Sequence, residues 1–198
     1  MDPGTRDVDK DIHKILIDPQ AILEKVKSLG LQISKDYGAL DGPIVLIGIL
    51  KGSLFFLSDL SREITIHVEI ESMAISSYGQ STQSSGVVRI LKDLDISITG
   101  RHVLIVEGII DTGLTLNYLL RSLNARGPKS LKVCTLIDKP ATRAIEIPIE
   151  YCGFTIPDEF VVGYGLDFNQ QYRNLPFIGV LKPECYTALN QNPTPTKS

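Results

Sequence analysis

Glu107 and Asp111 stand four residues apart in Val-Leu-Ile-Val-Glu-Gly-Ile-Ile-Asp-Thr-Gly-Leu-Thr, residues 103–115. A carboxylate set directly after four apolar residues is costly unless it is paired, bound to a metal or open at a site. Asp111, Thr112, Gly113, Leu114 and Thr115 add a second carboxylate, two hydroxyls and the N–H groups of a helix about to begin. Unpaired amides and the helix dipole both favour an anion there. Such a cradle between carboxylates suits a phosphorylated sugar, with amides on the phosphate and carboxylates on hydroxyls or magnesium. On the turn alone, an ordinary strand-to-helix connection with Asp or Thr as N-cap is the better reading. Glu107 moves the balance.

The elements around this stretch follow from its neighbours. Residues 103–106 form a short, wholly apolar run, as do residues 43–50 (Pro-Ile-Val-Leu-Ile-Gly-Ile-Leu), the mark of strands covered on both faces. The second run breaks at Lys51-Gly52-Ser53, after which residues 54–64 resume with helical spacing. Asp18-Pro19 reads as N-cap and first helical residue, with Ile22, Leu23, Val26, Leu29 and Leu31 as an apolar stripe ending near Gly38. Ile64, Ile66, Val68 and Ile70 alternate with Thr65, His67, Glu69 and Glu71, predicting a strand of period two. His67 falls on its solvent side. Residues 114–127 predict a helix closed by Gly127-Pro128, residues 130–138 another strand, and the last quarter short strands around a polar loop. Strand–helix alternation predicts right-handed βαβ units and a mainly parallel sheet, with ligands off the carboxyl ends of its strands.

Composition narrows the classes. The chain has 198 residues, 43% apolar and 22% charged, enough for one domain spanning 1–198 with loose tails at about 1–12 and 187–198. A net charge of −3 gives no general pull toward nucleic acid or an anionic membrane. Cys134, Cys152 and Cys185 have no CxxC spacing, which fits a reducing compartment. Without an apolar signal segment or a membrane-length apolar run, the expected location is cytoplasmic. Neither the GxxxxGK[ST] of a P-loop nor a GxGxxG after a first strand is present.

Residues 103–115 resemble the phosphoribosyl-pyrophosphate (PRPP) motif of purine phosphoribosyltransferases, on the hypoxanthine-guanine branch of bacterial type. Four further stretches resemble that family in its order: Leu46–Phe56, Met73–Gly79, Thr135–Pro140 and Ile156–Pro176. The resemblance runs from about Ile15 to Glu184. It implies a type I phosphoribosyltransferase fold, a mainly parallel twisted sheet flanked by helices with a small hood from the chain ends. Glu107, Gly108, Asp111, Thr112, Gly113, Leu114 and Thr115 match the PRPP-binding segment, with Asp111 as the catalytic acid–base group. Leu50, Lys51 and Gly52 match a pyrophosphate loop whose Leu50–Lys51 peptide is typically cis, and Arg173 a pyrophosphate-binding arginine. Ser77 and Tyr78 match the dyad of a closing lid. Lys139 matches the donor to the purine 6-oxo group, Phe160 the ring that stacks on the base, and Val161 the main chain along the base edge. Asp167 and Glu107 match carboxylates linked to Mg2+. The implied partners are PRPP, a 6-oxopurine and copies of the chain in a homodimer or homotetramer.

The implied reaction joins hypoxanthine or guanine to PRPP, releasing pyrophosphate. A sensing regulator built on the same fold is a second reading, but it needs a basic face or an added DNA-binding segment that the sequence lacks. A sister enzyme for orotate or adenine is a third, disfavoured by the 135–140 and 156–176 stretches. One departure stands out. The family carries an acidic pair where this chain has Glu107-Gly108, both members facing the ribose. Gly108 is therefore expected to weaken ribose binding, and also to loosen the turn through positive φ, with the reaction class unchanged.

Overall fold

The structure, a computed structural model, describes residues 10–40, 42–77 and 88–187. A six-stranded sheet has β2 (Ile44–Leu50) and β5 (His102–Ile110) side by side at its centre. Outside β2 lie β3 (Val68–Ser77) and β4 (Val88–Lys92); outside β5 lie β6 (Ser130–Asp138) and β7 (Tyr151–Thr155). All neighbours pair in parallel except β3 with β4. Helices α1 (Pro19–Tyr37) and α2 (Leu54–Glu63) cover one face, meeting Leu46, Leu104 and Val106. Helix α3 (Leu114–Asn124) covers the other, where Leu116 and Leu119 meet Val45, Val103 and Ile105. Adjacent residues of β2 and β5 thus enter different cores, which is why both strands are apolar without alternation.

A second sheet, of order β1-β9-β8, joins β1 (Ile12–Ile17) to β8 (Val161–Val162) and β9 (Ile178–Leu181). It is antiparallel throughout and forms the hood drawn from both ends of the described chain. Tyr172 Oη donates to the Asp11 carboxylate at 3.0 Å, tying the start of the described chain to this region. The expected loose tails fall largely outside the described residues. A short helix, α4 (Pro183–Thr187), follows.

Helix α1 begins as the sequence predicts: the Asp18 carboxylate accepts from the Ala21 N–H at 2.8 Å, and Gly38 is the C-cap. Its buried stripe is Ile22, Val26, Leu29, Ile33 and Tyr37; Leu23 and Leu31, expected in the stripe, are 55% and 53% exposed. The alternation at 64–71 starts one element too early, because Ile64 caps α2 by donating to Leu60 and β3 pairs only from Val68. His67 is exposed, as expected. Strands β1 and β4 lie in stretches that carry too little apolar pattern to announce them.

The strand order reverses between β2 and β5, since β3 lies to one side of β2 and β5 to the other. The crevice at their carboxyl ends is where an α/β sheet leaves room for a ligand.

Candidate active site

The loops after Leu50, Ile110 and Asp138 leave that edge. Ile110 is level with Asp138 in the parallel register, and the Lys139 N–H donates to the Ile110 carbonyl at 3.0 Å. Register alone therefore brings Asp111 and Lys139 together. Lys139 is buried at 6% exposure, and its ammonium pairs with Asp158 at 2.7 Å and with Asp111 at 3.9 Å. The other Asp111 oxygen accepts a short bond from the Thr142 hydroxyl, and Arg143 Nε braces the Asp111 carbonyl at 3.0 Å. A buried ammonium between two open carboxylates is a donor held ready for an incoming acceptor.

The strand-to-helix turn after β5 is built on a glycine N-cap. The N-cap of α3 is Gly113, at φ +81, with no side chain to cap the helix; the Thr112 hydroxyl accepts from the Leu114 N–H at 3.5 Å. Left-handed backbone favours glycine, and a Cβ here would lie 2.7 Å from the Ile145 carbonyl oxygen. The turn is fixed from behind, where the Thr112 carbonyl accepts from Ala144 and Ile145 at 2.9 and 3.2 Å. Beside the start of α3 lies a cavity of about 200 Å3 bounded by Glu107, Asp111, Thr112, Gly113 and Thr115. The Leu114 side chain lines the neighbouring cleft with Asn117 and Tyr118. Glu107 keeps part of its surface open to the cavity while protein packs its other sides. Burial pushes its carboxyl up to about 8, partly offset by the Gly108 N–H.

Gly108 does not share that cavity. It lies within regular strand β5 and is not among the residues at positive φ, so the expected loosened turn is not found. A Cβ on Gly108 would lie 2.7 Å from the Gly52 carbonyl oxygen and 3.2 Å from Leu166 Cδ2. The loop after β2 therefore rests directly on the backbone of β5. The Leu50–Lys51 peptide in this loop is cis, as the resemblance implies.

The hood and the loop after β2 supply most of the remaining side chains. The Arg173 guanidinium pairs with Asp167 at 2.8 Å and donates to the Gly165 carbonyl at 2.7 Å, while its Nε is buried without a partner. Lys51 is exposed, and its ammonium donates to Gln170 Oε1 at 3.1 Å. Arg173 donates to the same oxygen at 3.3 Å. Asn169, Gln170 and Tyr172 all hold positive φ, a conformation costing such residues about 1–3 kcal/mol each. Phe160 is 41% exposed and stacks on Tyr186 at 5.0 Å between ring centroids. Val161 opens β8, the edge strand of the hood sheet, so one side of its main chain faces away from that sheet. Ser77 ends β3; Tyr78, with the rest of the expected lid, lies outside the described residues.

Among the described residues, no three of His, Cys, Asp and Glu form a ready-made metal cage. The available donors are single hard carboxylates, Glu107 in the cavity and Asp167 beside Arg173. That donor set fits Mg2+, which binds through one or two carboxylates and completes its shell with substrate oxygens and water.

Asp158, Thr142 and Gln170 carry no sequence signal of their own, because each acts through a partner 19 or more residues away. A larger cavity, about 410 Å3, is bounded mainly by apolar residues such as Ile22, Val26, Phe55 and Leu175, together with Asp59, Tyr164 and Arg173.

Comparison with known proteins identifies the family. Residues 14–169 match the phosphoribosyl transferase domain. The hypoxanthine-guanine phosphoribosyltransferase of Bacillus subtilis is 51% identical over 176 residues, 89% of this chain and 97% of that protein. The enzyme of that name from Mycobacterium tuberculosis is 50% identical over 180 residues, 89% of each. A crystal structure of a hypoxanthine phosphoribosyltransferase from Staphylococcus aureus superposes with a TM-score of 0.88 at 46% identity, covering 92% of this chain and 98% of that one. By motif, fold and relatives alike, the chain belongs to the phosphoribosyltransferase family, on its hypoxanthine-guanine branch.

Proposed function

We propose that this protein transfers the phosphoribosyl group of PRPP to hypoxanthine or guanine, giving IMP or GMP and pyrophosphate. The observation that carries this reading is the pairing of Asp111 with buried Lys139 at the mouth of a helix-headed anion cavity. N9 of the base forms a bond to C1′ of the ribose while the bond from C1′ to the pyrophosphate oxygen breaks. Positive charge develops on the ribose as that bond loosens.

The amides of Thr112–Thr115 hold the 5′-phosphate, and Glu107 takes the ribose hydroxyls. Lys139 turns from Asp158 to the 6-oxo group and fixes the tautomer that reacts. Asp111, held by Thr142, accepts the proton or hydrogen bond at N7 as N9 attacks. Phe160 stacks on the base, and the Val161 main chain runs along its edge. Lys51 and Arg173 take the charge of the departing pyrophosphate. Mg2+, when bound through Glu107 and Asp167, supplies further charge neutralisation at the ribose and pyrophosphate oxygens. The Ser77–Tyr78 lid excludes water from the reacting centre.

Because Gly108 carries no carboxylate, ribose binding is weaker than the family motif provides. The chain works as one domain, as a homodimer or homotetramer in the cytoplasm, and light scattering after size exclusion measures the assembly. Among the described residues, no helix is long and apolar enough to cross a membrane. The matching relatives are named as transferases, which favours the enzyme over a sensing regulator.

Steady-state pyrophosphate release with PRPP, magnesium and a panel of hypoxanthine, guanine, xanthine, adenine and orotate tests the assignment. Turnover confined to 6-oxopurines supports it. Binding of PRPP without turnover on any base refutes it in favour of a sensor.

A further inference from the structure

Gln170 occupies a position that the reaction as described does not use. Its backbone is at φ +65, between Asn169 at φ +51 and Tyr172 at φ +72, and its N–H donates to Asp167 at 2.8 Å. Its side-chain oxygen accepts from both Lys51, at 3.1 Å, and Arg173, at 3.3 Å. Ammonium and guanidinium groups only donate, so the amide must turn its oxygen to them. The two cations come from separate parts of the fold, the loop after β2 and the loop of the hood. Arg173 has other anchors in Gly165 and Asp167. Among the described residues, Gln170 is the one side chain that holds the Lys51 ammonium.

We propose that Gln170 is a positioning residue for the pyrophosphate end of the site, gathering Lys51 and Arg173 on one neutral oxygen. Two like charges brought together repel, and a shared acceptor offsets that repulsion. A carboxylate would gather them equally well, but with Asp167 it would cancel both positive charges and leave no net pull on an anion. The amide assembles the pair and leaves two cations against one carboxylate. An incoming pyrophosphate group, with its many acceptor oxygens, replaces a single amide oxygen and meets donors already aimed. This inference rests on the assignment of Lys51 and Arg173 to pyrophosphate.

The test compares Gln170→Glu, which is nearly isosteric, with Gln170→Leu, which removes the acceptor. Calorimetry measures pyrophosphate affinity with magnesium at several salt concentrations, and kinetics gives KM for PRPP and for hypoxanthine. Both variants are expected to bind pyrophosphate about tenfold more weakly, with hypoxanthine KM within about twofold of the parent. The salt dependence of binding should persist in Gln170→Leu and flatten in Gln170→Glu, because only the latter cancels a charge. Pyrophosphate affinity within about twofold of the parent in both variants overturns the proposal. So does an equal rise in hypoxanthine KM, or a matching loss of melting temperature, either of which would make Gln170 a turn residue of the hood. If the parent itself binds neither PRPP nor pyrophosphate, the assignment of the site falls first, and the role of Gln170 with it.

Discussion

Substituting Gly108 separates two effects that the sequence alone merges. A Cβ at this position would sit 2.7 Å from the Gly52 carbonyl oxygen and 3.0 Å from its carbon, so the loop after β2 must retreat by several tenths of an ångström. A misplacement of 1 Å costs a reaction on the order of 10²-fold, so Gly108→Ala should lower kcat/KM for PRPP about tenfold. Gly108→Asp imposes the same displacement and adds the carboxylate that the family motif carries. A charge-assisted bond to a ribose hydroxyl or its cation is worth about 1.5–3 kcal/mol, or roughly 10- to 150-fold. The expected order of kcat/KM is therefore Asp at or above Gly, and Gly above Ala. Initial rates against PRPP at fixed hypoxanthine, over several magnesium concentrations, measure all three. An Ala variant within twofold of the parent would refute the contact with Gly52. An Asp variant no better than Ala would refute the ribose role of a carboxylate at 108.

Asp111→Asn should retain the fold and PRPP affinity while turnover falls by roughly 10²-fold or more; near-normal turnover across pH would remove Asp111 from the chemistry. Lys139→Ala should raise KM for hypoxanthine and guanine about 10- to 150-fold with PRPP affinity nearly unchanged, by calorimetry. Its partners Asp111 and Asp158 have side chains 52% and 64% exposed, so water can take the place of the lost ammonium and the fold should survive. The Glu107 carboxyl is raised from 4.5 to about 8, so the native protein holds a proton that the unfolded chain gives up. Its contribution to stability is full below about 4.5 and is lost as pH rises through about 8. Without substrate, Glu107→Gln should accordingly gain melting temperature relative to the parent as pH goes from 5 to 9, and parallel curves would contradict the burial of Glu107.

The parts of this structure legible in the sequence are those fixed by short-range pattern. The unbroken apolar runs of β2 and β5 announce strands buried on both faces, and Asp18-Pro19 announces the start of α1. Leu23 and Leu31 mislead because helical periodicity admits them to a stripe whose true centre is set by Ile33 and Tyr37. Strand β1 exists because β9 pairs with it, and nothing local in residues 12–17 requires it. In the site, Asp111 and Lys139 are legible as motif residues, whereas their adjacency depends on the parallel register of β5 and β6. The contact of Gly108 with Gly52 is a property of two backbones and leaves no side-chain signature. Asp158, Thr142 and Gln170 act through the tertiary bonds they accept or donate, which no spacing rule reports.

On the proposed assignment of Lys139 to the base, its pairing with Asp158 makes recognition an exchange rather than a capture. The lysine carries a bond to Asp158, so an incoming base must offer at least what that carboxylate supplies. A 6-oxo group presents an acceptor, and one charge-assisted bond replaces another at little net cost. A 6-amino group presents a donor to a donor, and the ammonium stays with Asp158. The wrong base then faces a pocket whose key hydrogen bond is spent elsewhere, a form of rejection that operates before any chemistry begins.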